Sequence, residues 1–297
     1  MPSAEDTPRG VTDGASSIPT SDDTFPETTR TGSTEVVVGA DNTLQRLPSV
    51  PVDASGQRNL QPGNSVGEVQ QAISSASPGD VVTIADGTYR GNLAFNSSGG
   101  TATQIVIRPA NEGKAVWEDG SFEITGSHII IVGLTITSDN ANFLRISEQA
   151  RDIRISSFTF DNVGSGDDGS STGIIRIESD PSSPPGIPTQ NSPPVAIDRH
   201  IFIDGNTFNR PRNTVLWVNH GNRGINFVHN KIHGPHEISG GETEALKFGY
   251  GTGLFEQADS RIAFNTITDW SGLPYVIGIK MSGVAIVANL IGQGRVE

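Results

Sequence analysis

Short apolar strands recur along this chain, and one corner of the repeat returns at regular distances. Segments such as TQIVIRPA, HIIIVGLTI and GINFVHNKI are separated by Gly, Asn and Asp, which favour turns. A polar or glycine residue follows the apolar run at Gly133, Ser157, Asn206, Asn230, Asn265 and Asn289. Successive members of this set lie 24, 49, 24, 35 and 24 residues apart. Self-similarity at a fixed period predicts a solenoid of stacked turns.

We interpret this period as the rung of an all-β fold, a right-handed parallel β-helix. An interval of 24 residues fits one rung, 49 fits two rungs, and 35 fits one rung with an inserted loop. The longest interval contains PSSPPGIPTQNSPP at 181–194, which cannot join a sheet because proline lacks the backbone N–H. The recurring asparagines predict a ladder of side-chain amides that links neighbouring rungs.

The domain organisation follows from where the apolar pattern begins. Residues 1–47 are rich in Ser, Thr, Asp, Gly and Pro, and we predict a disordered tail or linker there. Residues 48–297 are predicted to form the β-helix domain. Within it, SVGEVQQAISSA at 65–76 has apolar residues at helical spacing, which predicts a short helix capping the N-terminal end of the solenoid. Because VANLIGQGRVE stops within a rung, we expect the domain to be incomplete at its C-terminal end.

Charge and composition exclude several classes of partner. The net charge of −13 comes without a basic stripe, so we expect no nucleic-acid partner. No apolar run is long enough to cross a bilayer, so we expect no membrane partner. The sequence contains no cysteine, which excludes disulfides and thiolate metal sites.

Two lysines in apolar strands are the first candidates for chemistry. Lys280 lies in YVIGIKMSG, where apolar surroundings can lower a lysine pKa and make the amine a base near neutral pH. A lysine extending its ammonium to solvent at the strand edge is the alternative. Lys247 in ALKFGYG is predicted to occupy the equivalent place one rung earlier, three residues after Glu244. The two lysines would then form an anion site, unless Lys247 makes only a surface salt bridge with Glu242 or Glu244.

Other polar residues of the C-terminal third are candidates because loops over a rigid scaffold often carry function. His220, in the turn Asn219-His220-Gly221, and Arg223 are the loop candidates for binding a substrate. The histidines at 229, 233 and 236 have no metal-binding spacing, so we assign them structural or solvent roles. The pair Asp167-Asp168 would suit a glycoside hydrolase, but VGSGDDGSST is typical of a solvated turn.

The motifs around these residues resemble those of chondroitinase-B-type polysaccharide lyases. This superfamily contains the alginate lyases of polysaccharide lyase family 6 and related β-helical groups such as family 31. The resemblance covers about 63–297. It rests on PGDVVTIADGTYRG, on IVIRPANEGKAVWEDGSFEITGSHIIIVGLTI, on GGETEALKFGYG and on SRIAFNTITDWSGLPYVIGIKMSGVAIVANLI. It implies a secreted enzyme whose signal peptide is not part of this sequence, and we expect a monomer.

The resemblance also implies an activity, which is β-elimination in a 4-linked uronate polysaccharide, with alginate as the expected substrate. Lys280 matches the catalytic base of the family, and Lys247 matches a residue that binds the uronate chain. His220, Arg223 and Glu244 are expected to assist binding, whereas Tyr250 or Tyr275 is the candidate proton donor.

Two departures from the family pattern concern calcium and an arginine. Calcium-dependent members carry two acidic residues just before the lysine strand, where this chain has Leu273 and Tyr275. The residues seen therefore require no cofactor, and calcium is implied by the resemblance alone. The family arginine of the next rung would fall beyond Glu297, and Arg295 is out of register.

Two other functions are compatible with the sequence. GDD, NHG and IK occur in an order reminiscent of the pectinase-like glycoside hydrolases. A non-catalytic β-helix acting as an adhesin or carbohydrate-binding protein is the third hypothesis, because a fold does not by itself define an activity.

Overall fold

The computed structural model describes residues 36–38, 44–46, 59–61, 63, 65–101, 103–165, 173–178, 197–219, 221–234, 244–249, 256–270, 276–279 and 282–292. The chain divides into two units, 1–33 and 34–297, and all described residues lie in the second. Their strands form a right-handed parallel β-helix, which confirms the predicted fold class. None of the helices in these ranges has the length and apolarity needed to span a membrane.

The N-terminal elements precede the regular rungs. They are β1 (Val36–Val38), β2 (Leu44–Arg46), β3 (Asn59–Leu60) and α1 (Val66–Ser75). β1 and β2 pair antiparallel inside the segment predicted as a tail, and the rest of 1–47 lies outside the described residues.

Each described rung contains up to three strands, one from each sheet. The first four contain β4 (Val81–Ile84), β5 (Gly87–Arg90), β6 (Leu93–Phe95), β7 (Ile105–Pro109), β8 (Ala115–Asp119), β9 (Phe122–Ile124), β10 (Ile129–Val132), β11 (Thr135–Ile136), β12 (Leu144–Ile146), β13 (Ile153–Ser156), β14 (Thr159–Asp161) and β15 (Gly173–Ile177). The later ones contain β16 (Ile197–Asp204), β17 (Thr207–Asn209), β18 (Thr214–Val218), β19 (Asn222–Val228), β20 (Lys231–His233), β21 (Leu246–Phe248), β22 (Glu256–Ala263), β23 (Thr266–Thr268), β24 (Ile277–Ile279), β25 (Ser282–Val287) and β26 (Leu290–Ile291).

Strands of successive rungs stack into three parallel sheets. The first sheet has the order β3-β4-β7-β10-β13-β16-β19-β22-β25, the second β5-β8-β11-β14-β17-β20-β23-β26, and the third β6-β9-β12-β15-β18-β21-β24. Their inward side chains form one continuous core, in which Phe160 and Phe208 of adjacent rungs stack with ring centroids 4.6 Å apart. Because successive strand residues face opposite ways, each sheet also presents outward columns of side chains.

The predicted helix at the N-terminal end is confirmed. Ser65 caps α1, since its hydroxyl accepts from the Glu68 N–H while the Glu68 carboxylate accepts from the Ser65 N–H. Val69 and Ile73 are buried against the first rung. The Gln70 side chain exchanges hydrogen bonds of 2.8 and 2.9 Å with the backbone of Ala94. The helix therefore covers the apolar end of the core and pairs part of the exposed edge of the third sheet.

The asparagine ladder is also confirmed, at all four of the recurring asparagines. Each Oδ1 of Asn230, Asn265 and Asn289 accepts from both the backbone N–H and the side-chain amide of the asparagine one rung earlier, at 2.8–3.2 Å. The amide of Asn230 also donates to the carbonyl oxygen of Ile203 at 2.8 Å. These contacts satisfy buried backbone groups where the chain turns from the first sheet to the second.

The positions predicted for the same corner in the earlier rungs, Ser157 and Gly133, are wrong by one residue. Thr159 pairs with Thr207, and the backbone N–H of Phe158 donates to Asn206 Oδ1 at 2.8 Å. The residue equivalent to Asn206 is therefore Phe158, whose side chain is in the core. Leu134 holds the equivalent place one rung earlier, because Thr135 pairs with Thr159, and it is also in the core. The ladder therefore begins at Asn206.

Each of the two long intervals of the repeat, 35 and 49 residues, contains one rung. β19 pairs directly with β22, so the 35-residue interval is one enlarged rung, as predicted. β13 pairs directly with β16, so the interval read as two rungs is a single enlarged rung. Its extra residues follow β15 and include 181–194, which lie outside the described residues.

The ladder predicts a large loss of stability on replacing Asn230 with Ala. Asn230 is 1% exposed, so this change leaves several buried backbone and amide groups unpaired, each costing about 1–3 kcal/mol. We expect the free energy of unfolding, measured with urea, to fall by about 3 kcal/mol. Asn111→Ala, at an exposed residue bonded to Asp86, is the control and should change it by less than about 0.5 kcal/mol. Equal effects of the two changes would contradict a stabilising ladder.

Candidate active site

The outer face of the third sheet carries a column of polar and aromatic side chains. Strand pairing places one residue of each rung in register, in the order Glu123, Arg145, Arg176, Trp217, Lys247 and Gly278. We call this set the third-sheet column. Neighbouring strands lie about 4.8 Å apart, so each side chain lies beside those of the rungs before and after. The column is exposed at Glu123 and Arg145 and becomes buried towards Lys247.

Lys247 and Glu244 form the buried end of this column. Lys247 Nζ lies 3.5 Å from Glu244 Oε2, and the two side chains are 11% and 4% exposed. The pair is therefore buried, unlike the surface salt bridge considered as the alternative. Removing two charges from water carries a desolvation penalty that a single ion pair does not always offset. Such a pair is weak evidence for stability and is consistent with a functional role.

Gly278 makes room for the Glu244 carboxylate. It pairs directly with Lys247 on the adjacent strand. A Cβ built on Gly278 would lie 2.9 Å from Glu244 Oε1 and 3.0 Å from its Cγ, closer than ordinary contact. The absence of a side chain at 278, in the next rung, thus leaves space for the Glu244 carboxylate beside Lys247.

Trp217 separates the cations of the column. The Lys247 ammonium lies 4.6 Å from the centroid of the indole ring, and the Arg176 guanidinium carbon lies 5.7 Å from it. Both distances are typical of cation–π contacts. Trp217 therefore stabilises two positive groups in neighbouring rungs and limits their movement along the sheet.

Glu178, just after β15, connects the column to the loop candidates. Its Oε1 lies 3.2 Å from Arg145 Nε and 3.1 Å from Arg176 Nε. Its Oε2 accepts a 2.9 Å hydrogen bond from the side-chain amide of Asn219. The carbonyl oxygen of Asn219 in turn accepts from the Asn222 amide at 2.7 Å. Asn219, which follows β18 and precedes His220 in the sequence, is therefore hydrogen-bonded to the carboxylate that contacts the two arginines.

The structure brings together some of the predicted site residues. Lys247 and Glu244 are in contact on the third sheet. Arg223 lies instead on β19 of the first sheet, where it pairs with Asp259 at 2.7 Å. The catalytic candidates and the loop histidine lie outside the described residues: Lys280, Tyr250, Tyr275 and His220.

The predicted equivalence of Lys247 and Lys280 is wrong. Strand pairing sets Lys247 opposite Gly278, two residues before Lys280 in the sequence. A loop separates the two strands, and the sequence does not show where that loop begins and ends. The register of Lys280 against Lys247 therefore cannot be counted from the sequence alone.

His229 and His233 lie away from the third-sheet column. His233 Nδ1 is 2.8 Å from Thr268 Oγ1 on the second sheet, and the ring of His229 stacks on Phe264 at 5.1 Å. The other candidates lie outside the described residues: Asp167, Asp168, His236, Glu242 and Arg295.

The described residues do not by themselves form a calcium site. No three His, Cys, Asp or Glu side chains converge within the ranges that the structure covers. The buried carboxylate of Glu244 faces the Lys247 ammonium, an unfavourable neighbour for a divalent cation. Leu273 and Tyr275, which stand where acidic ligands were expected, lie outside the described residues.

Sequence reasoning missed Arg145, Arg176, Trp217 and Glu178. One signal could have found the first three. The strands LRI, GIIRI, TVLWV, LKF and IGI share a pattern in which one non-aliphatic or glycine residue lies between two apolar residues. Aligning these triplets places the column in register without a structure.

Comparison with known proteins agrees with the fold and with the sequence resemblance. The family model of chondroitinase B matches residues 63–151, from the start of the capping helix through the third rung. None of the curated protein sequences compared with the chain matches it. The family-model match confirms the resemblance to chondroitinase B within residues 63–151.

Three solved structures share the fold of this chain. They are the family 6 alginate lyase AlyGC, a mannuronic-acid-specific family 6 lyase from human gut microbiota, and the family 6 lyase Pedsa3628 from Pseudopedobacter saltans. Identities are 17%, 18% and 13%, with TM-scores of 0.60, 0.61 and 0.56 over 81%, 79% and 77% of this chain. The chain spans only 33%, 53% and 52% of their lengths. The likeness therefore establishes a shared solenoid.

The close approach at Gly278 yields a stability prediction. In Gly278→Ala the new methyl group would displace the Glu244 side chain, and overpacking of this kind costs about 1–3 kcal/mol. The urea midpoint should fall accordingly. Gly67→Ala in α1 is the matched control, because nothing lies within 4 Å of its Cβ position and alanine favours a helix. An unchanged midpoint for Gly278→Ala would show that Glu244 is not confined.

Proposed function

We propose that the chain is a polysaccharide lyase that cleaves 4-linked uronate polymers by β-elimination, with alginate as the expected substrate. The observation that carries this proposal is the buried Lys247–Glu244 pair on the outer face of a solenoid that family 6 alginate lyases share. On a chain with a net charge of −13, a polyanion needs a local cationic site.

The reaction requires three groups around one sugar. The uronate carboxylate must be neutralised so that the C5 proton becomes acidic, a base must remove that proton, and an acid must protonate O4 as it leaves. The C5–H and C4–O4 bonds break, and a C4–C5 double bond forms. The electron pair of the C–H bond becomes the new π bond, so no cofactor is needed for electron balance.

We assign these tasks to residues of this chain. Lys247 binds the carboxylate, and its buried position strengthens that attraction because nearby water is scarce. Glu244 keeps the Lys247 ammonium oriented until the substrate carboxylate binds. We propose that His220, and Arg223 from β19 of the first sheet, contact the bound polysaccharide beside Lys247. Lys280 is the proposed base.

The proton donor is assigned to Tyr250 or Tyr275. A phenol can donate a proton to a departing oxygen when it lies within hydrogen-bond distance of that oxygen. The family resemblance also supports a secreted enzyme acting on a polymer outside the cell. We propose the monomer as its active form.

A single assay distinguishes the lyase from its alternatives. The protein is incubated with alginate, polygalacturonate and dermatan sulfate, and both ultraviolet absorbance and reducing ends are followed. A lyase produces absorbance from its unsaturated uronate product, and we expect this with alginate. Reducing ends without absorbance would replace the proposal with a hydrolase. Binding without either signal would replace it with a carbohydrate-binding protein.

Substitution of the two lysines tests their roles. Lys280→Ala should lower the rate of product formation by about 100-fold or more, because general-base catalysis contributes about 10²–10⁴-fold. Lys247→Gln should lower kcat/KM by about tenfold or more, as expected for a lost charge-assisted contact. Lys231→Gln, at an exposed lysine of the second sheet, is the control and should leave the rate unchanged.

Circular dichroism of each variant separates loss of catalysis from loss of folding. A folded Lys280→Ala protein with the wild-type rate would remove Lys280 from the mechanism. A folded Lys247→Gln protein with unchanged kcat/KM would remove Lys247.

A further inference from the structure

We propose that Arg145 and Arg176 form a second binding site for carboxylates of the same anionic polysaccharide, two to three rungs before Lys247. This inference rests on the proposed function. It adds a binding surface at the exposed end of the third-sheet column, which lies towards the N-terminus of the solenoid.

The two arginines lie side by side and reach solvent. They are paired residues on adjacent strands, and their side chains are 49% and 25% exposed. Like charges directly opposite each other in a sheet destabilise it. The fold does not need these charges for its core, which here consists of their inward neighbours Leu144, Ile146 and Ile175.

Glu178 orients the arginines without neutralising both. Its Oε1 contacts Arg145 and Arg176, while Asn219 holds its Oε2. Arg145, Arg176 and Glu178 together carry a net charge of +1, and the exposed carboxylate of Glu123 lies beside Arg145 at the end of the column. A guanidinium has five N–H donors in a planar fork that suits carboxylates, so the half-exposed Arg145 can donate to a ligand as well as to Glu178.

The column then provides cations at two separated places. Arg145 and Lys247 are three strand steps apart, about 14 Å at the usual strand spacing. Trp217 lies between the arginine pair and Lys247, and Glu123 ends the cationic run on the other side. A linear polymer with a carboxylate on every sugar can contact both places, whereas a disaccharide bound at Lys247 does not reach Arg145, about 14 Å away. Simultaneous contact raises the affinity for the polymer above that for short fragments.

Lys247 and the arginine pair differ in solvent exposure, and this difference suggests different roles in binding. Lys247 is 8% exposed, so few orientations of a polymer reach it directly. Arg145 is accessible from solvent and is the first cation of the column that an approaching chain meets. We infer that the polymer is captured at Arg145 and Arg176 and extends along the column to Lys247.

Affinity electrophoresis in gels that contain alginate tests this site. Arg145→Gln should reduce the retardation of the protein, and the dissociation constant calculated from it should rise about tenfold. This is the usual scale for a lost hydrogen bond to a charged group. Arg176→Gln should act in the same direction. The matched control is Arg90→Gln, which removes an exposed arginine that pairs with Glu118 on the second sheet at 2.6 Å. It should leave the affinity unchanged.

Two further measurements make the outcome specific. The Arg145→Gln effect should shrink as salt is added, because exposed charges are screened. A uronate disaccharide should inhibit alginate cleavage by the wild-type and Arg145→Gln proteins with the same inhibition constant, because it does not reach Arg145. Wild-type affinity in a folded Arg145→Gln protein, or an equal loss in Arg90→Gln, would overturn the proposed site.

The result can be separated from the test of the lyase activity. Weaker alginate binding by Arg145→Gln, in a protein whose wild type forms no unsaturated product, would support the binding site and reject the lyase. Unsaturated product formed by the wild type, with alginate affinity unaffected by both arginine changes, would support the lyase and reject the binding site.

Discussion

The in-register stacking of parallel strands is the constraint on which the rest of this structure depends. Backbone hydrogen bonds fix each rung against the next, so residues at equivalent positions lie directly above one another. Inside the solenoid this produces the stacked aromatic core and, at one corner, the asparagine ladder. On the outer face of the third sheet it produces the column from Glu123 to Gly278. Structure and candidate site therefore arise from the same repeat.

Charge is distributed unevenly over this scaffold. The chain carries a net charge of −13, yet three cations face outward along one column. Each is held by a neighbour: Arg145 and Arg176 by Glu178, and Lys247 by Glu244 and Trp217. Gly278 allows one of these contacts by leaving space. The arrangement keeps positive charge in a fixed geometry, which is what recognition of a polyuronate requires.

Periodicity predicted the fold class, the capping helix and the asparagine ladder, because each depends on local spacing. It failed where an inserted loop of unknown length lay between rungs. The spacing predicts two rungs in the 49-residue interval, which is a single rung. It also predicts Ser157 at the corner that Phe158 occupies. It matches Lys280 to Lys247, whereas the strand partner of Lys247 is Gly278. Arg145 and Arg176 were missed because an isolated arginine in a short strand is an ordinary surface residue until its register is known.

Hydrogen–deuterium exchange with and without alginate tests directly whether the third sheet binds the polysaccharide. We expect alginate to slow exchange in β12, β15, β18 and β21, which carry the column from Arg145 to Lys247. Exchange in β14, β17 and β20 of the second sheet should not change. Protection confined to the second sheet, or spread equally over all three sheets, would contradict binding at the third sheet.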